Sequence, residues 1–454
     1  MFTRIPSVHR IAGRIGLGAA AVVLPLALAF GTTHAASPHL EDWTGQQVVD
    51  PQGLGYDHFG GSVAISGSIA LVSATEATLG DESSQGKVLV YERGADGVWN
   101  ETQTLVASDG AAYNEFGWSL AIRGDLAVIG AINASIDGNL SQGAAYVFAR
   151  GGDGQWTETQ KLVADDGQPV DWFGSAVTTD GATIVVAAYG AHYDDQAMRG
   201  AVYVFTASSG KWTQTQELAA DDGASGDAFG TAIALSGTTL LASAPGASID
   251  GHYAQGAVYR FAFADGAWSQ AQKIVVAEGV ESDQLGSALA VDGDTALIGA
   301  MWRTGGAGVA YVYENDGGDW HQTQRLEASD GAVAGIDGIG LPPTDNFGMT
   351  LALQGDKALI GASNVTIGAS EGQGAAYFFE RSAGTFAGTH TFTENEGVIS
   401  PYFGNAVALD GNDVLVGMFG YTPDMDHYQQ GAAYFYHAAS EGNPDVVFGN
   451  GFDG

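Results

Sequence analysis

The sequence predicts an all-β fold: a seven-bladed β-propeller with four antiparallel strands per blade, closed by an N-terminal strand that completes the last blade. Three markers recurring in one phase predict it. A Phe-Gly pair begins at Phe59, Phe116, Phe173, Phe229, Phe347 and Phe403, and Leu285-Gly286 fills the single gap. The steps between these seven positions are 57, 57, 56, 56, 62 and 56 residues. A glycine-led apolar segment, such as Gly143-Ala144-Ala145-Tyr146-Val147-Phe148, keeps the same count, with relatives at Gly86, Gly200, Gly256, Gly308, Gly374 and Gly431. The third marker is Trp99, Trp156, Trp212, Trp268 and Trp320, mostly followed by a Thr-Gln or Ala-Gln pair, with Phe386 as a sixth.

The elements follow in chain order. Residues 1–35 read as an export signal: Arg4, Arg10 and Arg14 precede an apolar run over residues 15–30, and Thr33-His34-Ala35 is a small-x-small cleavage site. Cleavage is expected after Ala35, with the propeller over residues 43–438 and a tail over 439–454. The apolar run is broken by glycines and Pro25 and falls short of a bilayer span. In each unit the first strand follows the Phe-Gly pair and alternates small with large residues, as in Ala232, Ile233, Ala234 and Leu235. A period of two with unequal faces suits the crowded centre of a radial array. A short glycine turn leads to the second strand, such as residues 296–300. The glycine-led segment is the third strand, and the fourth starts at the tryptophan. Residues 43–49 make a fourth strand with no blade before it, whereas the last unit ends at Tyr436-His437 with no fourth strand after it. Joining the two closes the ring and covers an edge.

Composition narrows the partners. Sixteen basic residues against 52 acidic ones give a formal charge of −36. That field repels phosphate backbones and anionic lipid, which disfavours nucleic acid and peripheral membrane attachment. With no cysteine there is no disulfide, thiol nucleophile or zinc–thiolate site. An exported monomer without cofactor is expected, whether periplasmic, at the cell surface or extracellular. Its partner is expected to be a protein or a carbohydrate.

These residues resemble the FG-GAP repeat in its compact bacterial form, related to the propeller of integrin α chains. The resemblance covers roughly residues 43–438. It implies a seven-bladed propeller used in adhesion or ligand binding, without catalysis. Integrin-type repeats often carry a calcium loop between the first and second strands. Here those connections are two- or three-residue turns such as Arg123-Gly124-Asp125, too short to wrap a cation that takes 6–8 oxygens. The tripeptide spelled by that turn is one of seven equivalent turns, and a motif match without context is weak.

Candidate site residues fall on the face carrying the long connections. Asp57, Asp171, Asp227, Asp283 and Asp345 each stand two residues before the Phe-Gly or Leu-Gly pair, and Asp109, Asp166, Asp222 and Asp330 mark Asp-Gly turns. Their repetition suits turn-fixing by hydrogen bonds to their own backbone, with ligand contact as the alternative. Trp172, Tyr189, Tyr193, Trp302 and Tyr428 exceed the repeat and are the candidates for ligand contact. Rings beside carboxylates suit a sugar face or a cationic group. The alternative is that some of these rings only pack the loops. Asp194 and Asp195 near His192, and Asp424, Asp426 and His427, are weaker candidates for a metal. Two other functions stay open: a secreted metal-dependent hydrolase and a structural component of envelope assembly. The insertion over residues 335–343 explains the 62-residue step.

Overall fold

The computed structural model describes residues 43–193, 196–328, 344–367, 372–394 and 402–439. The expected export signal, Asp194, Asp195, Asp330, the insertion and most of the expected tail lie outside them.

Seven sheets of four antiparallel strands form the propeller. Blade 1 runs Phe59–Ser66, Ile69–Ala74, Lys87–Arg93 and Trp99–Leu105 from the inside outwards. Blade 7 takes Val407–Asp410, Asp413–Met418 and Ala432–Ala438 from the C-terminal end and its outer strand, Trp43–Val48, from the N-terminal end. The register runs from Trp43 opposite Ala438 to Val48 opposite Ala433. The inner strand of blade 7 also packs on that of blade 1, so the ring is closed, as the termini predicted.

The repeating residues hold this frame. The side chains of Phe59, Phe116, Phe173, Phe229, Phe347 and Phe403 are wholly buried, and Leu285 is nearly so. Phe116 meets Tyr146 edge-on with ring centroids 5.5 Å apart, and Phe229 meets Tyr259 in the same way at 5.7 Å. The glycine that follows is obligatory. At Gly60 φ is +84°, and a Cβ there would lie 2.2 Å from the Ala432 carbonyl oxygen. Small residues on the second strand serve the same closeness: a Cβ on Gly130 would come within 2.1 Å of the Gly174 carbonyl of the next blade.

A latch ties the outer strands together. The Gln103 side chain donates to the Trp156 carbonyl and accepts from the Trp156 N–H, both at 2.8 Å. Gln46 holds Trp99 in this way, Gln160 holds Trp212, Gln216 holds Trp268, Gln272 holds Trp320 and Gln324 holds Phe386. The seventh junction, between blade 6 and the closing strand, differs. There His390 occupies the glutamine position and stacks on Trp43, with centroids 5.7 Å apart at 30°. Trp43 also meets Phe378 and Phe392 edge-on.

Burial lowers the pKa of His390 below its ordinary value. The unfolded chain takes up the proton near pH 6.5, while the folded chain resists it until lower pH. The stabilisation from neutral His390 is therefore full above about pH 6.5 and is lost as the pH falls below that. His390→Gln should restore the seventh latch. Two hydrogen bonds are worth roughly 1–2 kcal/mol together, so the variant should melt a few degrees higher. It should also lose part of the wild-type decline in melting temperature between pH 7 and 5.5. Identical pH profiles for the two proteins would refute this account of the junction.

Candidate functional site

The connections between strands two and three and those leading into each inner strand share one face. They are joined to each other by a repeated backbone frame. The Tyr56 N–H donates to the Tyr428 carbonyl at 2.7 Å, Tyr113 to Ser83 at 2.7 Å, Val170 to Leu140 at 2.9 Å, Gly226 to Ala197 at 3.1 Å and Ser282 to Tyr253 at 2.8 Å. Main-chain atoms alone make these bonds, and all five donors take positive φ, from +62° at Val170 to +86° at Gly226, a conformation that glycine adopts freely and a side chain only at a cost.

The aspartates belong to the frame. Asp57, Asp171, Asp227 and Asp283 are buried, and each accepts from the N–H three residues before it, at 2.6–2.9 Å. Asn114 does the same in blade 2. Asp345 is buried at the equivalent place. Burial pushes the carboxyls of Asp57, Asp171 and Asp227 above their usual range despite these bonds. Asp109 and Asp222 instead receive the hydroxyls of Tyr146 and Tyr259 and the ammonium groups of Lys161 and Lys273. Burial works against their charge, but these donors outweigh it and lower both pKa values. Turn-fixing therefore accounts for Asp57, Asp171, Asp227 and Asp283, while Asp109 and Asp222 anchor a tyrosine and a lysine each.

One observation separates the two faces. Among the described residues, every exposed large apolar side chain except Val98 and Phe263 stands in the long connections or at a strand end on their face. The candidates fall into four groups. Trp172 and Tyr189 are partly buried against each other, with centroids 5.1 Å apart. Tyr193 lies under the Arg199 guanidinium, 4.7 Å from its ring centroid. Trp302 is 41% exposed beside Arg303, which pairs with buried Asp283 at 2.5 Å.

Tyr428, 41% exposed, belongs to a hollow with Gly55, Tyr56, Met425 and Asp426. Asp424 does not present a free carboxylate there. It caps the 3-10 turn Met425–His427, accepting from the N–H groups of Asp426 and His427 and pairing with His427 Nδ1 at 2.8 Å. The hydrogen bond from His427 holds its pKa low. Among the described residues no three His, Cys, Asp or Glu side chains are grouped to hold a metal ion.

The segments that build the frame decide the family. The FG-GAP repeat model matches residues 43–91, 99–148, 156–205, 212–261, 268–313 and 320–379, more than half of the chain. The chain belongs to the FG-GAP repeat family. Each matched segment of this FG-GAP propeller runs from an outer strand to the third strand of the next blade, so the sequence repeat is offset by one strand from the blade. The seventh such stretch starts at Phe386, carries His390 in place of the latch glutamine and lies beyond the matched segments, yet its described strands take the same order as the others. A search of curated proteins returned no match.

The structure also brings together residues that break no pattern in the sequence. At the long-loop end of the inner strands, Tyr402 stacks on Phe419 at 4.9 Å, and His58 meets Phe419 at 5.3 Å. His58 Nδ1 lies 3.1 Å from Glu76. Burial, with Glu76 as a like charge, raises the pKa of Glu115, and Glu115 in turn adds to the effect of burial on Tyr189. The arc runs through blades 7, 1, 2 and 3 and ends at Trp172. Trp118, 46% exposed, stands on the inner strand of blade 2. The signal for these positions is the residue just before each Phe-Gly pair: His58, Glu115, Trp172, Ala228, Gln284, Asn346 and Tyr402.

Proposed function

We propose that this FG-GAP propeller is an exported, non-catalytic binding scaffold that takes a glycan, peptide or envelope partner on its long-loop face. The observation that carries this reading is the confinement of nearly all exposed large apolar side chains to that face. A soluble protein leaves such a surface open where something covers it. The aromatic arc with Glu76 and Glu115 supports a sugar or a cationic group as the part recognised. A metal-dependent hydrolase has less support, because Asp424 is engaged in capping.

The test is a screen of the mature protein against glycans, basic peptides and cell-envelope fractions, followed by single substitutions. Trp172→Ala, Tyr189→Ala and Trp302→Ala should each weaken binding by roughly tenfold or more, as expected of aromatic anchors worth about 2 kcal/mol. They should leave the melting temperature within a few degrees of wild type. Phe116→Ala and Phe229→Ala should instead cost about 3–5 kcal/mol of stability. If the three ring variants melt as early as the Phe variants, those rings pack the fold and the reading loses its site.

A further inference from the structure

We infer that the hollow between blades 7 and 1 binds a methylated ammonium group. This rests on the reading of the long-loop face as a binding face and adds the chemistry of one ligand. Tyr56 and Tyr428 form a corner, their centroids 5.4 Å apart and their planes at 57°. Tyr56 is 58% exposed, Tyr428 41% and Met425 84%, so two aromatic residues and a methionine stand exposed around one space. The backbone beneath them is fixed by the bond from the Tyr56 N–H to the Tyr428 carbonyl and by the Asp424 cap. The frame therefore fixes where the two rings are rooted, and their contact with each other sets the angle between them.

Asp426 supplies the charge. It lines the hollow, is exposed, and gives only its N–H to Asp424. His427, the basic group beside it, turns Nδ1 to Asp424 at 2.8 Å, which offsets its charge when protonated. With a formal net charge of −36 on the chain, the surrounding field favours cations and disfavours anions.

The walls decide among cations. A calcium ion takes 6–8 oxygens, whereas the hollow offers one carboxylate, and no three metal-ligating side chains are grouped there among the described residues. A primary ammonium keeps its water and gains little from apolar walls. A methylated ammonium carries its charge on apolar methyl groups, donates few or no hydrogen bonds and is attracted by the faces of aromatic rings. A pyranose would favour a single flat platform, whereas these rings meet at an angle.

The test is a titration of the full mature chain with tetramethylammonium and choline, against the neutral isostere 3,3-dimethylbutan-1-ol and methyl glucoside. Both cations should saturate one competitive site, with the alcohol at least about fivefold weaker. Tyr56→Ala and Tyr428→Ala should each weaken choline binding by about fivefold or more, and Asp426→Asn by about threefold, at unchanged melting temperature. Tyr428→Phe should retain binding, since the ring face is what acts. Sedimentation with phosphatidylcholine vesicles, competed by choline, would assign the group to a lipid headgroup. Binding of free choline without vesicle binding would assign it to a soluble solute or a modified peptide, and either result supports the site. Equal binding of the neutral isostere, no saturation by either cation, or full binding in both Tyr→Ala variants would overturn it. If the cations fail while an envelope or glycan partner still binds, only this inference falls and the broader reading stands.

Discussion

Deleting Trp43–Val48 should lower the melting temperature by roughly 10 °C and make the protein prone to self-association. The strand contributes in three ways. Trp43 fills the space between Phe378, His390 and Phe392, and losing a large packed ring costs about 3–5 kcal/mol. Gln46 latches Trp99 of blade 1 through two hydrogen bonds, worth roughly 1–2 kcal/mol together. The edge of Ala432–Ala438, now paired from Ala433 to Ala438, would lie open to other chains. At about 2–4 °C per kcal/mol for a large domain, the packing and latch losses alone reach the stated drop. Differential scanning calorimetry with light scattering reads both effects. A deletion variant that melts with unchanged midpoint and stays monomeric would mean that the N-terminal strand is dispensable for closure.

How far the sequence could be read depends on distance along the chain. Phe59 to Phe403 announce the blades because each buried ring and its following glycine solve the same local problem seven times, with one leucine substitution. The closing strand was legible because a fourth strand without a blade and a blade without a fourth strand can only be partners. The latch was not. The Thr-Gln pairs stood out as a marker, but the partner of Gln103 is the backbone of Trp156, on a neighbouring blade. Periodicity carries no information about what a side chain reaches there.

The site divides in a similar way. Trp302 and Tyr428 depart from the repeat and were visible as candidates for that reason. Tyr56, His58, Tyr113 and Glu115 occupy positions that every blade has. They become informative only once the backbone frame is known to be satisfied without their side chains. The buried aspartates show the converse. A residue type repeated in blade after blade answers a structural need, here an N–H three residues upstream.

Lys87→Ala should destabilise the protein by about 3–5 kcal/mol, and Asp50→Ala by a similar amount, because each leaves a buried charge without its partner. Lys87 Nζ lies 2.5 Å from Asp50 Oδ2, with only 9% and 3% of the two side chains accessible. Other blades show what the fold itself requires at these places. The residue that opens the third strand is Ala144, Ala201, Ala257, Val309, Ala375 or Ala432 where blade 1 has Lys87. The position of Asp50, seven before the turn-fixing aspartate or asparagine, is held by Ala107, Ala164, Ala220 and Val276 elsewhere. A pair of small apolar residues is thus enough for the packing. The ion pair does something else: it joins the segment following the closing strand to the third strand of blade 1. A buried charge tolerates only the arrangement that pairs it, so the register of closure is enforced at that point. The double variant Asp50→Ala with Lys87→Ala reproduces the neighbouring blades and should recover to within about 1–2 kcal/mol of wild type, since replacing a whole buried pair is often neutral. Urea unfolding of the four proteins gives the coupling energy directly. Additive losses in the double variant, or single variants within about 1 kcal/mol of wild type, would show that the pair is not acting as a buried ionic staple.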